Sequence, residues 1–293
     1  MIIFKIIFLV LISDSLHYKE ADKNIVKGMI SKSAVKDTTD TTTTDTTNAP
    51  RSYTVKSDSS NLMDSTVYLY GNVQFKYKDL IINSNTGIIT TEKVIARDSV
   101  HITKGDSLKA VNIDCNLSEY FWDRDINIYN GFKAYRGNET LTGDMCRYLD
   151  DSMWINKNMV YLNNKEKIRI SGNKGFYRAD VSKGNVRDSA VFYSFSDSME
   201  ITGDTIKFES DTLKEVNKTE VIGNVVIKLD STNCYSGYGI YFPKKDIAEL
   251  YNNPYVVSKE DSIMGEKIKI LLTNRKIKQL IISGNVRGKR WQL

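Results

Sequence analysis

Gly-Asn-Val-Val-Ile-Lys-Leu-Asp (223–230), Ser-Gly-Tyr-Gly-Ile-Tyr-Phe (236–242), Ala-Glu-Leu-Tyr-Asn-Asn-Pro-Tyr-Val-Val (248–257) and Ile-Met-Gly-Glu-Lys-Ile-Lys-Ile (263–270) follow one another with little between them. In the first, Val225, Ile227 and Leu229 alternate with Val226, Lys228 and Asp230. In the second, Tyr238, Ile240 and Phe242 alternate with Gly239 and Tyr241, and in the last Ile268 and Ile270 alternate with Lys267 and Lys269. Side chains of a strand point to opposite faces in turn, so alternation of this kind marks strands with one buried face. The same period runs outward through Thr205–Glu209, with Ile206 and Phe208 on the apolar side, and through Ile168 and Ile170 flanking Arg169. No helical periodicity interrupts it after residue 53, and turn signals such as Ser-Asn-Thr-Gly (84–87) and Asn-Asn-Pro (252–254) punctuate it. The expected fold class is all-β and antiparallel.

Two phrases repeat. Leu-Thr-Gly-Asp (141–144) returns as Ile-Thr-Gly-Asp (201–204) and Ile-Met-Gly-Glu (263–266), each opening an alternating strand. Gly-Asn-Val occurs at 71–73, 184–186, 223–225 and 284–286. The stretch from 223 to 270 aligns loosely with 71 to 113, which sets a repeat of roughly 60 residues holding four or five short strands; such units share a core with their neighbours. The expected units are 62–140, 141–200, 201–262 and 263–293, within a repetitive domain spanning 53–293. Gly and Asn tolerate positive φ, so Gly-Asn is expected at tight turns entering strands. Asp144, Asp204 and Glu266, each just after a glycine, are expected to cap turns, although a catalytic or metal role is conceivable.

Toward the N-terminus the pattern changes. Met1–Ile12 is apolar apart from Lys5, too short to span a bilayer, which takes about 20 residues, and of the length of a secretory signal core. Residues 1–15 are therefore expected to be a signal peptide or N-terminal anchor, which places the protein in an exported compartment. Residues 16–52 include a run of almost only Thr and Asp (37–47) that cannot bury enough apolar surface to offset its chain entropy, so the segment is expected to be a disordered linker, with folded structure starting near Tyr53 or Leu62.

Bulk composition narrows the function. With 41% hydrophobic and 26% charged residues the composition is that expected of a soluble globular protein and too polar for an integral membrane protein. Its formal charge of +5 comes from Lys and Arg interspersed with Asp and Glu, so no basic block marks a nucleic-acid footprint and no nucleic-acid partner is expected. Cys115, Cys146 and Cys234 lack CxxC spacing and there are two histidines, which gives no metal site; one disulfide and a spare thiol, or three reduced buried thiols, both remain open. His17 falls at the signal junction and His101 sits in an alternating strand with no catalytic motif around it. Asp150 and Asp151 fall in a polar turn. A parallel β-helix with a carboxylate site also fits repetitive strands, although its coils would repeat every ~20–25 residues. The expectation is a protein that binds without catalysing and without a cofactor.

The order and spacing of the segments quoted at the outset resemble the OstA-like family, which includes the LptA-type periplasmic lipopolysaccharide transport proteins. The likeness is best over 200–293, fair over 141–200 and loose over 71–140, and the tandem is longer than a single-unit member of the family. The resemblance implies tandem β-jellyroll (β-taco) units, a sheet folded over an apolar groove that holds the acyl chains of lipid A. It implies lipopolysaccharide as ligand, a periplasmic location, transport-bridge partners at the inner and outer membranes joined by strand-edge stacking, and energy supplied by an ATP-driven transporter elsewhere. Burying a methylene is worth ~0.8 kcal/mol, so such a groove must carry chains that cannot cross water unaided. The residues expected to line it are Ile206, Phe208, Val225, Ile227, Leu229, Tyr238, Ile240, Phe242, Ile268 and Ile270. The competing reading is that these side chains fill a closed sandwich core and that the protein is an exported structural or adhesive β-repeat protein with no lipid ligand.

Overall fold

The structure, a computed structural model, describes residues 24–29, 52–105, 110–211, 215–229, 231–259, 261–273 and 276–289. The expected signal at 1–15 lies outside the described residues, as does most of the expected linker. The chain divides into two compact units, Met1–Trp122 and Asp123–Leu293. The first holds β1 (Asn24–Met29), β2 (Ser52–Ser57), β3 (Ser59–Met63), β4 (Thr66–Tyr77), β5 (Leu80–Ile89), β6 (Lys93–Lys104) and β7 (Val111–Phe121). The second holds β8 (Ile126–Arg136), β9 (Glu139–Gly143), β10 (Met145–Leu149), β11 (Ser152–Asn163), β12 (Ile168–Arg178), β13 (Lys183–Ser194), β14 (Met199–Ser210), β15 (Val216–Leu229), β16 (Thr232–Phe242), β17 (Ile247–Tyr251), β18 (Tyr255–Ser258), β19 (Asp261–Met264), β20 (Lys267–Thr273), β21 (Lys276–Ser283) and β22 (Arg287–Lys289). A 3-10 turn at Pro243–Lys245 is the one helical element among the described residues. β1 falls inside the segment read as a linker: Asn-Ile-Val-Lys-Gly-Met carries two adjacent β-branched residues and pairs along the whole length of β2.

Within each unit, sequential strands pair antiparallel, as in β4–β5–β6–β7 and β11–β12–β13–β14–β15–β16. This confirms the all-β, jellyroll-like expectation and overturns the parallel β-helix. Each long strand also breaks register near its middle, between Asn156 and Met159 in β11, Arg187 and Ala190 in β13, and Ile222 and Val225 in β15, for example. These breaks line up across the sheet, and at them every second strand carries two consecutive residues of positive φ: Gly71-Asn72, Asp98-Ser99, Asn130-Gly131, Lys157-Asn158, Asp188-Ser189, Gly223-Asn224, Asn252-Asn253 between β17 and β18 and, at the C-terminal end, Gly284-Asn285. Paired left-handed residues bend the chain sharply, as a β-bulge does, while the ladder resumes on either side. The corner returns roughly every 30 residues, so a 60-residue repeat contains two.

The two repeated phrases are partners at these corners. Asn224 donates its side-chain amide to both carboxylate oxygens of Asp204 at 3.1 Å, Asn158 to Asp144 at 2.9 Å, Asn72 to Asp58 at 2.9 Å, and Asn285 to Glu266. The acidic residues after each glycine are therefore corner ligands. At 71–72 and 223–224 Gly-Asn lies inside a strand rather than at a turn entering one, whereas Gly284-Asn285 stands at a bend just before β22. Gly184-Asn185-Val186 is not a corner at all: Asp188-Ser189 bends that strand, and Gly184 faces inward, where a Cβ would come within 2.5 Å of the Phe208 ring.

The corners fold each sheet into two facing leaves. In the second unit the first leaf comprises residues 132–136, 139–143, 159–163, 168–171, 190–194, 199–202, 225–229, 232–236, 255–258 and 261–264; the second comprises 126–130, 145–149, 152–156, 174–178, 183–187, 205–210, 216–222, 238–242, 247–251, 267–273 and 276–283. Tyr161 on the first leaf meets Phe208 on the second with ring centroids 4.7 Å apart, and Phe192 meets Tyr241 at 5.6 Å. In the first unit, Phe75 and Tyr77 on one leaf meet Tyr120 and Trp122 across the core, and Tyr53 completes that aromatic cluster.

Gly223 has φ +73° and a Cβ there would lie 2.1 Å from an Asp204 carboxylate oxygen. Gly223→Ala is expected to lower the stability of the second unit by about 1–2 kcal/mol, read as a lower urea midpoint at unchanged slope. An unshifted midpoint would contradict the corner.

Candidate functional site

The interior of the second unit is a belt of apolar side chains that follows the register from strand to strand. On the first leaf, directly opposed residues run Ala134, Leu141, Tyr161, Ile170, Phe192, Ile201, Ile227, Cys234, Val256. On the second leaf one row runs Ile128, Cys146, Ile155, Gly175, Val186, Ile206, Val221, Gly239, Leu250, Ile268, Ile282. Beside it lies a second, Ile126, Tyr148, Met153, Tyr177, Gly184, Phe208, Thr219, Tyr241, Ala248, Ile270, Leu280. These rows end at β21, which pairs with β20 on one side and with no strand on the other among the described residues. There Leu280 and Ile282 are only half-buried and Ile281 is 46% exposed.

Seven of the ten residues expected on the apolar surface lie in this interior: Ile206, Phe208, Val225, Ile227, Leu229, Ile268 and Ile270, each at most 3% exposed. The other three do not. Tyr238, Ile240 and Phe242 lie on the outer face, half-buried. The Tyr238 ring rests on Tyr251 at 5.9 Å, Ile240 sits between Glu220 and Glu249 in the register, and the Lys245 ammonium lies over the Phe242 ring. The inward residues of β16 are Cys234 and Ser236 before the corner and Gly239 and Tyr241 after it. Strands with a left-handed pair keep their parity through the corner, the inward residues standing four apart (155/159, 186/190, 221/225), whereas the alternate strands reverse it (143/146, 236/239). Alternation carried straight through β16 therefore selects the wrong face. Ile201 and Tyr241 face inward on parity-reversing strands, where straight alternation passes them over; on the parity-keeping strands an apolar pair four apart, as at 155/159 and 186/190, marks the inward face that Tyr161 and Phe192 share.

Polar groups enter this interior at its mouth, where the hairpin turns of the two leaves meet. Glu139, on the first leaf and 5% exposed, accepts hydrogen bonds from the Tyr161 hydroxyl (3.1 Å) and, across the interior, from the Tyr177 hydroxyl (2.8 Å). Burial and then the Glu139 charge raise both tyrosine pKa values. Arg136 pairs with Glu139 at 3.4 Å and donates to the Ala179 carbonyl and to Ser182 Oγ (3.3 Å) at the end of the second leaf. At the next turns, Glu166 accepts from the backbone N–H of Val216 at 2.7 Å and Lys165 pairs with Glu215 at 2.7 Å.

Elsewhere the chemistry is sparse. His101 Nδ1 lies 2.7 Å from Asp114 and Thr103 Oγ1 is 3.3 Å from His101 Nε2, an arrangement that resembles a triad in outline. The Thr103 hydroxyl proton goes to Asn112, however, and all four side chains stand on the outer face of the paired β6–β7 ladder. Cys115, Cys146 and Cys234 are buried and form no disulfide, and burial pushes Cys115 and Cys234 up to about 12, so neither is a reactive thiolate at neutral pH.

Fold and interior together define a folded-over antiparallel sheet of the β-jellyroll type with an apolar inside. No family model matches the sequence, and no curated protein matches it. Among solved structures the chain is similar to the crystal structure of LptH, the LptA homologous periplasmic component of the conserved lipopolysaccharide transport device from Pseudomonas aeruginosa. That similarity has 14% identity and a TM-score of 0.39, covering 44% of this chain and 97% of that one.

Burial raises Glu166 from 4.5 to about 6, with Glu215 adding to the rise and the Val216 N–H opposing it. A carboxyl whose folded pKa is raised favours the folded state while protonated and loses that contribution as pH climbs from its unfolded to its folded value. The stability of Glu166→Gln relative to wild type should therefore increase between about pH 4.5 and 6 and then level off, by about 1 kcal/mol or less once solvent screening of this half-buried group is allowed for. Urea titrations across that range check it; a difference that is flat with pH would contradict it.

Proposed function

We propose that the protein is a non-enzymatic carrier of lipopolysaccharide, holding the acyl chains of lipid A in the interior of the folded sheet during passage across the periplasm to the outer membrane. The observation that carries this reading is the unbroken apolar belt between the leaves, running strand by strand to Leu280 and Ile282 at an unpaired edge. A belt of near-uniform apolarity offers a sliding tail no deep trap, while each methylene removed from water contributes ~0.8 kcal/mol. In the described state the interior is sealed, so loading requires the leaves to part or the tail to enter from the β21 end. An acyl chain that replaces leaf-to-leaf contacts exchanges one apolar neighbour for another, which keeps the cost of parting small. A transport-bridge partner would dock by strand addition to the β21–β22 edge, on which Lys276 and Arg287 are exposed.

The sealed interior favours a second reading, an exported structural or adhesive β-repeat protein whose belt is simply its core. Photocrosslinking in cells separates the two. With a photoreactive side chain at Phe208, Ile227 or Leu280, the carrier reading expects labelled lipopolysaccharide adducts, and none at the outward positions Lys207, Lys228 and Ile240. Adducts nowhere, from folded protein, would leave the structural reading standing.

A further inference from the structure

We infer that the outer face of the second leaf, from β10 to β14, is a binding face for a phosphate-bearing saccharide, centred on Trp154. In the sequence its basic residues, at 147, 174, 178, 183, 187 and 207, are never adjacent, so no basic block shows. Strand alternation and register bring all six to one outer surface, each of them exposed, where Glu209 is the one carboxylate on the same strand segments. Twice they face each other directly: Lys174 stands opposite Arg187, and Arg178 opposite Lys183. Like charges opposed across a ladder cost stability, and here they do so on both sides of one pair, Phe176 and Asn185. Carboxylates at the rim relieve part of that cost, Asp188 for Lys174, Asp180 for Arg178 and Glu209 for Lys183. Exposed pairs of this kind are weak, so an incoming phosphate can take their place.

Between the opposed cations lies an aromatic centre. Trp154 is 42% exposed, its ring tilted against Phe176 at 5.3 Å, with the Arg147 guanidinium 5.8 Å from its centroid. The indole offers a stacking face, the Asn156 and Asn185 amides offer donors and acceptors, and the cations offer charge for phosphate. A phosphorylated sugar presents the matching set: an apolar C–H face, hydroxyls and anionic oxygens. Docking to a bilayer takes apolar side chains that enter the acyl boundary together, which a single Trp among charged neighbours does not supply. A single-stranded nucleic acid stacks successive bases on successive rings, and half-buried Phe176 leaves one ring open. The turn between Arg178 and Lys183 forms part of the mouth, so a head group leaving the interior there passes onto this face. Taking the saccharide to be the sugar portion of lipopolysaccharide rests on the carrier reading above; the recognition itself uses only the outside of the leaf.

Titration calorimetry of the native full-length chain tests the face, with the phosphorylated oligosaccharide left when all acyl chains are removed from lipopolysaccharide. Binding is expected, weakening as salt screens the exposed charges. Trp154→Ala should lower the affinity on the order of tenfold. Arg187→Gln combined with Lys207→Gln should weaken binding and flatten its salt dependence, while Arg169→Gln, on the outer face of the first leaf, should leave it unchanged. The same oligosaccharide stripped of phosphate should bind the wild type more weakly and lose nothing further to the double variant. No binding by the wild type, or an affinity unmoved by Trp154→Ala, would overturn the inference. So would tighter binding of anionic phospholipid vesicles, or of an oligothymidylate, that Trp154→Ala abolishes. Because the probe carries no acyl chain, its failure to bind leaves crosslinking from Phe208 and Ile227 to decide the carrier reading. Saccharide binding without those crosslinks would hold for this face alone.

Discussion

A long strand cannot fold back over its own sheet unless the backbone bends at one point and resumes its hydrogen bonds on both sides, since every buried N–H and C=O left without a partner is costly. This chain meets that constraint with pairs of left-handed residues stacked across the sheet, and the stack decides where the leaves begin and which side chains face inward. Asn is suited to such a position because its short amide tolerates the left-handed conformation and can tie the corner to a carboxylate on the adjacent strand, as Asn224 does to Asp204. The interior, its mouth and its uncovered end all follow from the placement of those corners.

Period-two alternation was enough to read an antiparallel all-β chain from the sequence, because one buried face leaves that mark on every strand. The repeated Gly-Asn and Gly-Asp phrases were visible too, but their partnership was not, since two phrases ~20 residues apart say nothing about which strands adjoin. Corners without glycine, Asp98-Ser99, Lys157-Asn158 and Asp188-Ser189, were hidden: polar residues at a bend read like any polar residues of an exposed face. The misplacement of Tyr238, Ile240 and Phe242 has the same root. Glycine at 237 and 239 removes the side chains that would have announced the change of parity between Ser236 and Gly239. The Glu139 cluster was illegible in another way, because its members come from 136, 139, 161, 177 and 182 and are brought together only by the fold.

On the carrier reading, the interior combines two demands that pull against each other. A core that excludes water completely, with Ile206, Ile268 and Ile270 at 0% exposure, gains the full hydrophobic contribution of its side chains. A carrier must release part of that contact when a ligand arrives. The described ties at the mouth, Glu139 with Tyr161, Tyr177 and Arg136, keep the register of the leaves with a few specific bonds, and on the carrier reading the apolar contact deeper between the leaves is exchanged for an acyl chain at little net cost.

Native mass spectrometry of the protein drawn gently from the envelope of cells that make lipopolysaccharide tests most directly whether this interior admits a lipid. The carrier account predicts a polypeptide bearing a multiply acylated adduct that survives mild detergent and is lost on unfolding. A bare polypeptide mass, from preparations in which Cys234 remains protected, would contradict it.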